Sequence, residues 1–237
     1  MDALAEAVGS QIFGAVVAAA LTAVMGLVRW LAVRRLPARR TWRYADGAGL
    51  SIVLDTSHID TGRYQRPVAG LGQIRALSVL IPSLTHAYRD VDLEKVRLSA
   101  HLPGHETEGD LLVLGGPKNN ETAHRLLRAM AEALPFRLRG DAITWGDTAY
   151  TGDVTDGEVT RVSGYVVRAP NPLNPAKRVV LVGGWSTYGT VAAARWLAES
   201  GAGRSLGADV AVLVEASVLR DGHVSAPRLL RQENLGV

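Results

Sequence analysis

The sequence predicts an α/β domain of the Rossmann-like kind, with a mostly parallel sheet, helices on both faces and one N-terminal transmembrane helix ahead of it. Three observations carry that expectation. The segments LLVLGGPKNNETAHRLLRAM and VVLVGGWSTYGTVAAARWLAES each read as apolar strand, glycine pair, short loop and helix. Strands apolar on both faces that alternate with helices belong to parallel sheets covered on both sides. Near the start, the seventeen residues from Ile12 to Val28 carry no charge.

Extended to Val8 and Val33, the apolar run at about 1.5 Å per residue is long enough as a helix to cross a bilayer. The head, MDALAEA, has Asp2 and Glu6 and no basic residue, whereas Arg29, Arg34, Arg35, Arg39, Arg40 and Arg43 follow the run. A secretory signal has the opposite order. The positive-inside rule predicts a single-pass protein of the plasma membrane, with its amino terminus outside and its domain in the cytoplasm. Residues 1–33 are then the anchor, 34–49 a basic linker against membrane lipid headgroups, and 50–237 the cytoplasmic domain. Pro37 is expected to end the helix, and Trp30, Trp42 and Tyr44 fall where an interfacial belt would lie. Gly14, Ala18, Thr22 and Gly26 recur every four residues, which predicts a homodimer through a small-residue face.

The pI of 9.4 comes from this collar. Residues 1–43 hold six arginines against two acids, and the remainder holds twenty basic against twenty-one acidic residues. No basic tract with interleaved aromatics is present, so nucleic acid is not an expected partner. The absence of cysteine excludes disulfides and thiolate metal sites, and no metal is expected. His101 and His105 are separated by Pro103-Gly104, which denies them a helical zinc spacing.

Within the domain, Leu50–Leu54 reads as a buried strand, followed by a turn-rich stretch containing DTSHID. Apolar residues at Ile74, Leu77, Leu80, Ile81 and Leu84 give a helix over Gln73–Tyr88, interrupted by Pro82. Val96–Ala100 reads as a second strand. Between the two glycine-pair segments, FRLRGDAITWG and RVSGYVVRAP read as strands joined by the acidic turn TGDVTDGE. The end reads as an antiparallel hairpin turning at Asp221-Gly222.

Four of the five asparagines, Asn119, Asn120, Asn171 and Asn174, and two of the three lysines, Lys118 and Lys177, cluster in or beside GGPKNN and PNPLNP. In GGPKNN, Gly115 and Gly116 let the backbone turn and approach a ligand without a Cβ. Asn120 is placed to cap the following helix, whose free N–H groups attract phosphate or carboxylate. Lys118 adds a mobile charge beside Asn119. The second copy offers Gly183, Gly184, Ser186 and Thr187 at an equivalent helix start, with Trp185 and Tyr188 as stacking faces. Asp55, at the end of the first strand, fits a ribose hydroxyl or a general base. PNPLNP reads as a rigid lid over the same carboxyl ends.

This pair of segments resembles a poorly characterised Rossmann-like module of prokaryotic membrane-anchored and cell-surface proteins, with a GGPxxN loop and a later GGxxxxGTxAAAxxL segment. The resemblance spans roughly Asp110–Glu199. It implies the fold and assigns no reaction. The expected function is a membrane-anchored sensor of a nucleotide or other anionic small molecule. The alternatives are an enzyme cleaving or transferring part of a nucleotide-like ligand, with Asp55 or Glu121 as acid–base group, and a tethered protein-interaction scaffold.

Overall fold

A computed structural model of the chain describes residues 2–60, 62–199 and 206–236, with side chains from 16 onward apart from 32, 34 and 199, and its sheet is mixed. A long helix, α1 (Asp2–Trp30), passes through a π turn at Leu31–Arg35 into α2 (Leu36–Trp42). Strand β1 (Leu50–Leu54) leads to a hairpin of β2 (Ser57–Asp60) and β3 (Gln65–Val68), then α3 (Leu71–Ala87) and β4 (Val96–Leu98). Next come β5 (Asp110–Leu114), α4 (Glu121–Ala129) and a meander of β6 (Phe136–Arg139), β7 (Ala142–Trp145) and β8 (Thr148–Tyr150). The chain closes with β9 (Asp153–Thr155), β10 (Glu158–Asn171), β11 (Asn174–Gly184), α5 (Thr187–Glu199), β12 (Val210–Ser217) and β13 (Arg228–Asn234).

The main sheet runs β13-β12-β10-β11-β5-β1-β4, with β9 also on β10. Pairing is parallel between β1 and β4, β1 and β5, and β5 and β11. It is antiparallel where β10 meets β9, β11 and β12, and where β12 meets β13. The mostly parallel expectation is therefore corrected. The cause is local: only Pro172 and Leu173 separate β10 from β11, and a parallel return needs a crossover of a dozen residues or more. The expected terminal antiparallel hairpin is present as β12–β13.

Residues alternate between two cores. Ile52, Leu54, Leu112, Leu114, Val180 and Val182 face α3 and α5 through Leu80, Leu84, Ala193 and Leu197. Val53, Leu111, Val113, Val179 and Leu181 face α4 and the meander through Leu126, Phe136 and Ile143. Hence α3, leaving β1, covers one face, and α4, leaving β5, covers the other. The crossovers diverge between β1 and β5, and at such a point the carboxyl ends of the strands open a crevice.

Among the described residues no helix is long and apolar enough to cross a membrane. The transmembrane anchor, the single-pass topology and the plasma-membrane location are corrected on that finding. Ile12 to Ala15, and with them Gly14 of the small-residue stripe, lie outside the described side chains. Along α1 the chain exposes Val16, Leu21, Val24, Met25 and Val28 by 56–64%, and the Thr22 hydroxyl donates to the Ala18 carbonyl at 2.9 Å.

The stretch expected to link anchor and domain is packed into the domain. Pro37 does not end the helix as expected: the chain continues as helix from the π turn through Pro37 to Trp42. Trp42 is fully buried and its Nε1 donates to Ser83 at 3.1 Å. The Tyr44 hydroxyl donates to the Leu111 carbonyl at 2.8 Å, and Tyr88 donates to the Tyr44 carbonyl at 2.7 Å. Arg168 of β10, 1% exposed, donates to the Arg40 carbonyl at 3.2 Å, the Ala208 carbonyl at 3.0 Å, and the carbonyls of Thr41 and Gly207. Burial lowers its pKa to about 10, which leaves it charged at neutral pH.

Candidate functional site

Asp55 follows β1 directly and is 4% exposed. Its Oδ2 accepts from Gln73 Nε2 at 2.7 Å, while Asp55 Oδ1 and Gln73 Oε1 have no hydrogen-bond partner. Burial pushes the carboxyl up to about 6, against the pull of a hydrogen bond from the Gly70 backbone. Gln73 occupies the α3 stripe that continues through Ala76, Leu80 and Leu84 into the core. A polar residue on an otherwise apolar stripe, one turn into a helix, is the signal that sequence reading passed over.

Gly115 ends β5 with φ +109°, a region L side chains rarely adopt, and a Cβ there would stand 3.3 Å from Asp55 Cβ. A Cβ on Gly116 would come within 2.9 Å of the Gly184 carbonyl. The two glycine loops are thus back to back. Asn120 is fully buried: its Oδ1 accepts from Ala123 N at 2.9 Å and its Nδ2 donates to the Leu114 carbonyl at 3.0 Å. The cap forms as expected, and the side chain's amide is spent within the loop.

The second loop is filled by protein. Gly184 packs on the Gly189 backbone and the Ser163 carbonyl, so the first turn of α5 lies directly on β10 and β11. Ser186 Oγ accepts from Gly189 N at 3.3 Å. Thr187 abuts Gly72 at the start of α3. Over Gly183 lies the Tyr165 hydroxyl, fully buried and without a hydrogen-bond partner, its pKa raised by burial. The indole N–H of Trp185 likewise has no partner.

Beside the first loop lies an open pocket of about 370 Å³ between the ends of β1, β4 and β5. The Thr56 N–H donates to the Asn119 carbonyl at 2.9 Å, Thr56 and Ser99 hydroxyls meet at 3.1 Å, and Ala100 N donates to Thr56 Oγ1 at 3.0 Å. These bonds tie the three loops into one floor. Over that floor stand His58, Lys118, Glu121 and His124, all exposed. No hydrogen bond or ion pair engages Lys118 among the described residues. The structure therefore brings together Gly115, Gly116, Lys118, Asn119, Asn120 and Asp55, with Asp55 sealed behind Gln73. Gly183 and Gly184 adjoin them from behind, and Ser186 and Thr187 face α3.

PNPLNP lies elsewhere. Asn171 and Asn174 pair across the β10–β11 turn, at the amino end of β11, roughly 33 Å along the strand from Gly184 at about 3.3 Å per residue. The lid expectation is corrected. Asn171 Nδ2 donates to the Thr107 and Gly109 carbonyls at 2.9 and 2.8 Å, and Lys177 pairs with buried Asp110 at 3.3 Å.

Set against known proteins, the chain matches no protein-family model and no curated sequence.

Proposed function

We propose that the crevice between β1, β4 and β5 binds a nucleotide or another anionic small molecule, and that the protein serves as a sensor of it. The observation carrying this reading is the place of the pocket. It opens where α3 and α4 leave for opposite faces of the sheet, which is where α/β sheets hold ligands, and the unpaired ammonium of Lys118 stands over it. The start of α4 adds backbone N–H groups and the positive end of the helix dipole. Of the residues expected from sequence, Lys118 and Asn119 form the contact side in this reading, while Gly115, Gly116, Asn120, Gly183 and Gly184 hold the loops in shape.

A second reading is favoured by one observation. Asp55 is a buried carboxyl that titrates near 6, with one oxygen unpartnered, as an acid–base group requires. Catalysis on a nucleotide-like ligand would then need Gln73 to swing aside. Thermal shift and calorimetry on the full chain with adenosine 5′-monophosphate, guanosine 5′-monophosphate and ribose 5-phosphate test the binding reading. Lys118→Ala should weaken binding by about tenfold, the loss of one charge-assisted contact. Equal affinity in the wild type and in Lys118→Ala would place the site elsewhere, and product formation would favour the enzyme. Gly116→Asp is a poorer probe, because its Cβ would meet the Gly184 carbonyl and disturb folding.

A further inference from the structure

Two pockets on this side of the molecule share a wall. The crevice ends at Pro117 and His124, and a second pocket of about 310 Å³ begins at the same two residues. It runs along α4 to β6. Its floor is apolar, with Leu127 and Leu138 packed on the second core. Its rim is cationic: Arg128, Arg137 and Arg139 are exposed, and no hydrogen bond or ion pair engages their guanidinium groups among the described residues.

A phosphate or carboxylate alone would fill only the crevice. An acyl chain would suit the leucine floor and leave three guanidinium groups without a partner. A planar heteroaromatic ring satisfies both, since its face lies on apolar side chains while arginine stacks on it or forks onto its acceptor edge. Resting on the reading of the crevice as an anion site, we infer that the second pocket takes the nucleobase of a nucleotide whose phosphate lies at Lys118. The ligand class is then a nucleotide, and His124 stands at the junction of its two halves.

The test uses the full chain and calorimetric titration with adenosine 5′-monophosphate, guanosine 5′-monophosphate and ribose 5-phosphate. At least one nucleotide should bind tenfold or more tighter than the sugar phosphate. The double variant Arg128→Ala, Arg137→Ala alters only exposed side chains and should erase that margin while leaving ribose 5-phosphate unchanged. Ala131→Phe, which fills the groove with apolar bulk, should do the same, and thermal melts confirm that each variant is folded. Nucleotides that bind no tighter than ribose 5-phosphate, or a margin that survives in both variants, overturn the base subsite. If Lys118→Ala still weakens every probe in that case, the crevice reading stands without it. Insensitivity of all probes to Lys118→Ala, or no binding of any, brings down both.

Discussion

Asp55 is a residue at which the folded structure bears an electrostatic cost. A carboxyl with an unpartnered oxygen, 4% exposed, is expensive to ionise. Because its pKa rises from 3.8 to about 6 on folding, the folded state binds more protons than the unfolded one between those values. Stability therefore falls as pH rises through that window and is level above it. Asp55→Asn keeps the shape, abolishes the ionisation and should flatten the profile, stabilising the protein at pH 7 by about 1–2 kcal/mol after allowance for solvent screening. Urea unfolding at pH 4, 5, 6 and 7 measures it, and an unchanged slope in the variant would assign the titration to another group. Tyr165 makes a simpler case. Its hydroxyl is buried without a partner, so Tyr165→Phe should be neutral or stabilise by up to about 1 kcal/mol. A loss above about 1 kcal/mol in the same unfolding assay would show that the hydroxyl has a partner in solution.

Among the elements, α4 depends on a single side chain at its start. Asn120→Ala removes the cap and leaves the buried Leu114 carbonyl short of a donor, which together should cost about 2 kcal/mol; Asn119→Ala, at an exposed neighbour, should cost under about 0.5 kcal/mol. Chemical denaturation of the two variants side by side checks the contrast. The strands β1 and β5 and the Val179–Gly184 half of β11 were legible because each is apolar on both faces, and α4 because a cap and an apolar stripe agree. The direction of β10 was not read, although the two residues between Asn171 and Asn174 left no room for a crossover. Clustered asparagines pointed to ligand chemistry, yet Asn120, Asn171 and Asn174 bond the backbone. Asparagine suits caps and tight turns as well as it suits ligands, so composition alone could not separate the two. Gln73, the partner of Asp55, was hidden because the contact joins residues eighteen apart in sequence.

At the scale of the molecule, the N-terminal segment and the domain form one folding unit. Arg168 reaches the last carbonyls of α2 from β10, a cation at a helix carboxyl end, and Arg39 lies over the Tyr88 ring at 5.2 Å. Arg168→Met should cost roughly 3–5 kcal/mol by leaving those buried carbonyls unmet, and a chain starting at residue 45, without Trp42 and Tyr44, should show no cooperative unfolding transition by circular dichroism. Cooperative melting of that shortened chain would refute the docking. Sequence reading assigned Arg39 and Arg40 to a lipid-facing collar because it had no means of seeing Tyr88 and β10 as their neighbours. The turn at Leu173 has a practical use of its own. Leu173 is 40% exposed and stands at the far end of the sheet from the crevice, while Asn171 anchors the turn. A dye or surface tether attached at Leu173→Cys, in a chain with no other thiol, would report or immobilise the protein while leaving both pockets open to solution.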